Sequence, residues 1–514
     1  MTYRQTRLEK NTQNEVLSVL AWEVFLGKTL LEKRSPFEEK SFLLSARKRL
    51  KILFVHIAQS IAGHTLYCED DRSTLYQLPP ETRALINWLI SNDLLASWSL
   101  GRPLLPVKSV KTVYLYPKPL VTPSGGSYSP TGANGIGSGS TFSLAAISAL
   151  GEFIERNASS AYWWENSRLY KSKFNNNSVQ VNPDLFNVFT DASIPTHKKI
   201  EKYQSTHSLY WMPAVNFTHN KKIHIPASLA YMYFRREHPN EPFLQEVSSN
   251  GAATYSNYTE ACTRAILELI ERHVFISLWY QKKPCSKLNL NSLRTEFIEF
   301  DELLKSLSVS QEINIYEITD FLEVPTFMAL LTNKDTSKTA LHVTAASDLD
   351  ANNALQKIIK EIIRFAEEQY PIDKVDKIPV DVNSFSNVKG YPDSLPARRL
   401  LWSYQDMLQH LAWLEESQEI EYSDIRCIAA DLATAPARYC WLQEQSVNND
   451  VTFYIANMTN SVARYAGLQV VRAISPDTIP MFFNEEFLPL GHPAFTHDAD
   501  GNKIELNPVP HPFI

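Results

Sequence analysis

Apolar and polar positions repeat with helical period twice along this chain, and in the same order both times. Gly135 to Trp164 reads GIGSGSTFSLAAISALGEFIERNASSAYWW, and Asn250 to Tyr280 reads NGAATYSNYTEACTRAILELIERHVFISLWY. Placing Glu152 on Glu268 also aligns Leu150 with Ile266, Ile154 with Ile270, Glu155 with Glu271, Arg156 with Arg272 and Trp163 with Trp279, an offset of 116 residues. That offset is too long for a solenoid period and indicates a duplicated unit inside one domain. Each copy predicts a helix. Ala145, Ala146, Ala149 and Leu150 are strong helix formers. Ser148, Glu152 and Glu155 fall on one stripe beside the apolar stripe of Ile147, Leu150 and Ile154. In the second copy Glu260, Arg264, Glu268 and Glu271 form the matching polar stripe.

Like charges stacked on one helical stripe repel, and two such helices face to face gather at least four carboxylates. A cation is expected among them. One copy of Glu-x-x-Glu-Arg is common on solvated helices, where Glu and Arg simply pair; two copies with matched apolar and Trp positions argue for a shared site instead. A di-iron bundle requires Glu-x-x-His, and His273 lies two residues after Glu271, the wrong spacing. All-carboxylate ligation suits a hard ion such as Mg²⁺, which normally arrives with phosphates. Gly132 and Gly137 have the spacing of a phosphate loop, but Ser138 stands where Lys is required. The N-terminus of the following helix still offers N–H groups to an anion.

The remaining pattern predicts further elements. Leu17–Leu31 and Lys40–Ile61 read as helices, with Leu50–Ala62 a core segment too short and polar to span a bilayer. His64–Cys68 reads as a strand, and Glu81 to about Leu95 as a helix started by Pro80. Strands are expected at Thr112–Tyr116, Leu209–Val215, Ile223–Ala227, Ser228–Tyr233, Ile313–Glu317, Val324–Leu331, Ile425–Asp431, Val451–Ala456 and Leu468–Ile474. The Gly-rich stretch Gly135–Gly139 and Ser248–Ala253 read as turns, and Val375–Pro396 as a loop. Asp348 or Asp350 is expected to cap a helix carrying Lys357, Glu361 and Arg364. Strands and helices without strict alternation argue an α+β fold. The Pro-, Gly- and Ser-rich stretch from Pro103 to Pro130 marks a boundary. It separates a mostly helical N-terminal module, 1–108, from a domain over 109–514.

Composition narrows the classes. The 514 residues carry a net charge of −6, so no basic field favours nucleic acid or an anionic membrane. Five scattered cysteines without a C-x-x-C pair favour reduced thiols. The polar start shows no signal peptide. A cytoplasmic protein is expected, without membrane or nucleic-acid partners.

The string S-A-L-x-E-x-x-E-R after the Gly-rich stretch, then S-N-G-x-A…E-A…E-L-I-E-R, closely resembles the YcaO superfamily. The third segment, Ala346-Ser-Asp-Leu-Asp-Ala-Asn-Asn-Ala-Leu355, follows in the family's order, and the resemblance runs from about 115 to 514. It implies the internally duplicated YcaO fold, with ATP and Mg²⁺ between the two helices. It also implies phosphorylation of a backbone amide oxygen in a peptide. By matched position, Glu152, Glu155, Glu268 and Glu271 would hold Mg²⁺, and Ser148, Arg156, Asn250, Glu260 and Arg272 would contact ATP. Ser138 departs from the family's Lys, and Ser256 from a frequent Asn, with Asn257 one residue later.

The chain ends Asn507-Pro-Val-Pro-His-Pro-Phe-Ile514. By composition this is a stiff, extended tail. Its P-x-P-x-P form resembles the azoline-forming cyclodehydratase branch, whose tail enters the active site, which makes Pro512 and Ile514 candidates for supplying or positioning a base. Many family tails finish in Pro; this one continues Phe513-Ile514. The resemblance therefore implies conversion of Cys, Ser or Thr in a ribosomal precursor peptide to an azoline, as in bacteriocin biosynthesis. The implied partners are a leader-bearing precursor, a ThiF-like or C-protein-type leader-binding protein and a flavin dehydrogenase. Thioamide or amidine formation, or a non-catalytic leader-binding scaffold, are the competing readings. The N-terminal module, winged-helix-like by its element order, is either a leader- or partner-binding unit or a structural extension.

Overall fold

The computed structural model describes residues 78–513, apart from segments 101–110, 118–119, 122–126, 129–134, 163–167, 190–200, 368–391, 429–431 and 497–502 and single positions 79, 93, 393 and 427. The expected elements at Leu17–Leu31, Lys40–Ile61 and His64–Cys68, the aligned Trp163 and the terminal Ile514 lie outside the described residues.

The duplication is carried into three dimensions at the same 116-residue offset. Strand β3 (Ile136–Gly139) leads into helix α2 (Phe142–Ser160), and strand β7 (Ala252–Tyr255) leads into helix α3 (Tyr258–Gln281). Gly135 and Gly251 precede the strands at φ of +97° and +77°, a conformation that side-chain-bearing residues rarely adopt. Thr141 and Asn257 cap the helices, accepting the backbone N–H of Leu144 and Glu260 respectively. Each cap satisfies an otherwise orphaned N–H and contributes about 1 kcal/mol. Asn257 thus has a structural duty one position after Ser256.

The expectation of a turn over Gly135–Gly139 is corrected: Ile136–Gly139 is a strand. A Cβ at Gly137 would lie 2.0 Å from the carbonyl oxygen of Ala145. Glycine is present there because α2 packs directly onto the strand. Ala252 and Ala253, read as the end of a turn, likewise begin β7.

Among the described residues, three sheets of three or more strands pack with these helices, beside a two-stranded ribbon of Leu120–Val121 and Ser127–Tyr128. The first, ordered β1 (Leu95–Leu100), β2 (Lys111–Pro117), β3, lies with helix α1 (Pro80–Ser91) beside the first copy. Ile86 and Leu89 of α1 share an apolar cluster with Ala145, Ala149 and Ile154. The helix expected to reach Leu95 stops at Ser91, and Leu95 opens a strand, its side chain buried in the same apolar cluster.

The second sheet holds β4 (Tyr170–Lys173), β5 (Ser208–Asn216), β13 (Tyr454–Asn457), β14 (Gln469–Ile474) and β7 in that order, with β6 (Lys221–Pro226) on β5. The third is ordered β11 (Leu341–Ser347), β10 (Thr326–Asn333), β9 (Gln311–Glu317), β8 (Ser286–Leu288), β12 (Gln418–Ile420). Its strands β11 and β10 are buried on both faces. Met328 and Leu330 pack with α3, while Phe327, Ala329 and Leu331 pack with helix α4 (Ala351–Glu367), as the two-residue strand period requires.

Ser228–Tyr233, expected as a strand, is a 3-10 turn at Ala227–Leu229 followed by irregular backbone. The backbone N–H of Ala230 bonds back to the carbonyl of Ala227 and so is not available to a neighbouring strand. Ile425–Asp431 falls mostly outside the described residues, and Ile425 sits in a bend. At the far end of the expected 375–396 loop, Pro396 lies inside helix α5 (Leu395–Leu401). Asp350 accepts the N–H of Asn352 at 2.9 Å, the expected cap of α4.

The interior also stores neutral histidine. His342, stacked on Phe365 at 5.3 Å, is 7% exposed, and burial, with Arg399 nearby, pushes its imidazole down to about 4. A lowered histidine contributes stability that is complete above the unfolded value near 6.5 and is lost as pH falls toward 4. Wild-type protein is expected to lose up to about 3 kcal/mol relative to its His342→Phe variant between pH 7 and 4. Parallel urea melts across that range check this; equal slopes would show that the imidazole protonates in place.

Candidate active site

Helices α2 and α3 bring the predicted acids together with an unpredicted arginine. Glu155, Glu268 and Glu271 line a cavity of about 220 Å³ with Thr254, Arg264, Ser347 and Lys357. Glu155 and Glu268 are close enough to raise each other's charge cost, and burial raises both carboxyls above their ordinary value. Burial also pushes Glu271 up to about 7, and Glu268 adds repulsion. Its carboxylate accepts the backbone N–H of Ser347 at 3.2 Å.

Glu152 faces the adjoining loop, accepting the N–H groups of Ile136 and Gly135 at 3.0 and 3.3 Å. Burial raises its carboxyl, an effect that Arg156 opposes. It does not line the cavity. Among the described residues no three acidic, His or Cys side chains converge as a ready cage for a metal. Mg²⁺ does not require one, since it usually takes one or two carboxylates and completes its shell with water and phosphate oxygens.

Arginines balance the acids. Arg156 lies 3.6 Å from Glu152, and Arg272 lies 3.8 Å from Glu268 and 3.3 Å from Glu271. The two i, i+4 pairs occupy equivalent places in the two copies. Arg472 projects from β14, between β13 and β7, and is 4% exposed. Burial lowers its guanidinium to about 10, while Glu268 and Glu155 hold the charge in place. The only sequence signal for it was a single charge inside the apolar run Leu468–Ile474.

Buried donors without an acceptor test whether a phosphate ligand fits. Arg156 Nε, Arg272 Nη1, and Arg472 Nε and Nη1 have no hydrogen-bond acceptor in the described structure. Four such N–H-bearing atoms beside buried carboxylates are costly in an empty protein interior. An anion carrying a hard cation would satisfy both sets, so the residues fit ATP with Mg²⁺.

The other predicted contacts are dispersed. Glu260 is buried and bonded at 2.9 Å to Arg264, which lines the cavity. Asn250 faces a smaller pocket of about 30 Å³ shared with Arg472, Ser248 and Thr478, and its Oδ1 lacks a partner. Ser148 is exposed on α2 and does not line the cavity. Lys357, which the sequence placed on α4 without a site role, lines it, bonded at 2.8 Å to Asp348.

The tail is part of this architecture. Val509, Pro510, His511, Pro512 and Phe513 are buried. Trp279 Nε1 donates to the carbonyl of Val509 at 2.7 Å, Trp402 Nε1 to that of Pro510 at 3.1 Å, and Arg398 Nη1 to that of His511 at 2.7 Å. Proline offers no N–H to a ladder, and the carbonyls of this segment are taken instead by two indoles and a guanidinium. Phe513 ends the described chain with its ring 4.0 Å from the Arg272 guanidinium.

Two helices of a duplicated unit thus carry the acids and arginines, and a buried proline-rich tail packs on α3 through Phe513. A family model described as YcaO cyclodehydratase, ATP- and Mg²⁺-binding, matches residues 136–479, about two thirds of the sequence. The chain belongs to the YcaO cyclodehydratase family, whose model is described as ATP- and Mg²⁺-binding.

Solved structures share the fold. A heterocyclase in complex with substrate and cofactor is 18% identical, with a TM-score of 0.60 over 90% of this chain and 60% of its own. The present chain thus spans less than two thirds of that heterocyclase. The YcaO protein of Methanopyrus kandleri bound with AMPPCP and Mg²⁺ is 14% identical, with a TM-score of 0.51 over 79% of this chain and 93% of its own. The E. coli microcin synthetase McbBCD complex is 14% identical, with a TM-score of 0.50 over 81% of this chain and 97% of the matched chain. A comparison with curated proteins found no match. Among the described residues, no helix is long and apolar enough to cross a membrane.

Proposed function

We propose that this protein converts Cys, Ser or Thr residues of a ribosomal precursor peptide to azolines in an ATP-dependent cyclodehydration. The observation that carries the reading is the pairing of a cavity lined by Glu155, Glu268 and Glu271 with a proline-rich tail whose Phe513 packs on Arg272, the arginine beside two of those acids. Glu155, Glu268 and Glu271, with Glu152 behind them, are proposed to hold the hard cation. Arg156, Arg272, Arg472 and Lys357 offer donors to phosphate oxygens, with Ser148, Asn250 and Glu260 contributing at the edge. ATP, when bound with Mg²⁺, supplies the phosphoryl group that activates the peptide amide oxygen.

The protein's share of such a reaction is alignment and charge neutralisation. Buried arginines already in place need little reorganisation to meet developing negative charge. The tail end, Pro512 to Ile514, is proposed to supply or position the base that accepts the nucleophile's proton. The N-terminal module, 1–108, is proposed to serve leader or partner binding ahead of the 109–514 domain. Assembly with a ThiF-like or C-protein-type leader-binding protein, and with a flavin dehydrogenase, belongs to the same reading, as does a cytoplasmic location.

Mass spectrometry of a Cys/Ser/Thr-rich precursor incubated with the protein, its partner proteins and Mg-ATP tests the proposal. Loss of one water per ring, dependent on ATP, is the expected result. Exchange of oxygen for sulfur when a sulfur source is present would replace azoline by thioamide formation. An unchanged peptide together with no ATP binding would leave a scaffold.

A further inference from the structure

We propose that Phe513 is a positioning residue for the anion-binding arginine Arg272, so that seating of the tail sets the site's affinity for nucleotide. The inference rests on the ATP reading above and adds a role for the residue that follows the Pro-rich run. Three contacts meet on one guanidinium. Arg272 lies 3.3 Å from Glu271 and 3.8 Å from Glu268, and its centre is 4.0 Å from the Phe513 ring centroid. Its Nη1 is buried without an acceptor. That orphan donor is the group available to a phosphate oxygen.

Phe513 itself is held. It is 7% exposed, and its ring meets Phe275 edge-on at 4.9 Å. The carbonyls of Val509, Pro510 and His511 just before it are pinned by Trp279, Trp402 and Arg398. Phe275 and Arg272 lie on α3, three residues apart, so both contacts of the ring are to one helix. The ring covers the guanidinium without supplying a hydrogen-bond acceptor. It therefore restrains Arg272 by cation–π attraction while leaving Nη1 unused. An aliphatic side chain would fill the space but exert no such attraction. Released from the ring, Arg272 would sample more rotamers, and a ligand would then bear the cost of ordering it.

Equilibrium binding of a non-hydrolysable ATP analogue with Mg²⁺, measured by calorimetry without peptide, isolates this effect from any catalytic step. Phe513→Leu is expected to weaken binding about three- to tenfold, the range that a partly desolvated cation–π contact supports. Phe513→Trp and Phe513→Tyr, which keep the ring, are expected to stay within about twofold of wild type. Thermal melts accompany each variant, and Phe513→Met replaces the leucine variant should that one lose its fold. Equal affinity of Phe513→Leu and wild type overturns the inference alone. So does a Phe513→Trp variant as weak as Phe513→Leu, which would reduce the effect to packing. Absence of binding by wild type overturns the nucleotide reading itself, and the inference with it.

Discussion

Glu268→Gln is expected to lower ATP turnover by at least about a hundredfold while leaving the unliganded protein as stable as wild type or more so. Both halves follow from where Glu268 sits. It faces Glu155 across the two helices, lies 3.8 Å from Arg272, and is among the acids that hold the charge of the buried Arg472. Its charge is unfavourable on balance, because burial raises its carboxyl above the ordinary value more than its arginine neighbours lower it. A neutral isostere removes that cost at neutral pH. The same substitution removes a proposed ligand for the hard cation. Phosphate release assayed with and without precursor, together with a thermal melt, decides the matter. Undiminished turnover would sink the assignment of this acid, and a collapsed melt would make its role structural.

Arg398→Ala is expected to destabilise the protein by about 3–5 kcal/mol, the loss found when one partner of a buried ion pair is removed. Arg398 is 0% exposed, and Nη2 lies 2.6 Å from Glu485 while also donating to the carbonyl of Phe483 at 2.9 Å. Its Nη1 takes the carbonyl of His511. Alanine strips three acceptors of this donor at once and leaves Glu485 buried, answered among the described residues by the Tyr280 hydroxyl 2.9 Å away. The double variant Arg398→Met, Glu485→Leu is expected to regain most of that stability, because the uncompensated charge goes with the arginine. Urea denaturation of the single and double variants measures both. A single variant within about 1 kcal/mol of wild type would show that water already reaches the pair.

Both predictions bear on the difference between what a linear pattern displays and what a fold assembles. The acids on α2 and α3 were legible because a helix puts residues four and seven apart on one stripe, a local rule. The duplication was legible because two copies obey that rule in register, and the offset that aligned Glu152 with Glu268 also aligns the glycines, caps and strands that precede the helices. Turn-like composition misled where glycine serves close packing, as at Gly137 under α2. It misled again at Ser228–Tyr233, whose β-like pattern yields to hydrogen bonds back to Ala227.

By itself, then, the sequence determined the α+β character, the repeated helix with its acids and arginines, and the proline-rich tail. Each of these is written in residues within a few turns of one another, where period and side-chain chemistry suffice. Only the tertiary structure decided which distant groups share a volume. Arg472 reaches Glu268 from a strand more than two hundred residues later, through sheet register. Lys357 arrives at the same cavity on α4. The tail is seated by Trp279, Trp402 and Arg398, more than a hundred residues before it, and its Phe513 rests on Arg272. Those meetings depend on how sheets and helices pack, and no spacing along the chain encodes them.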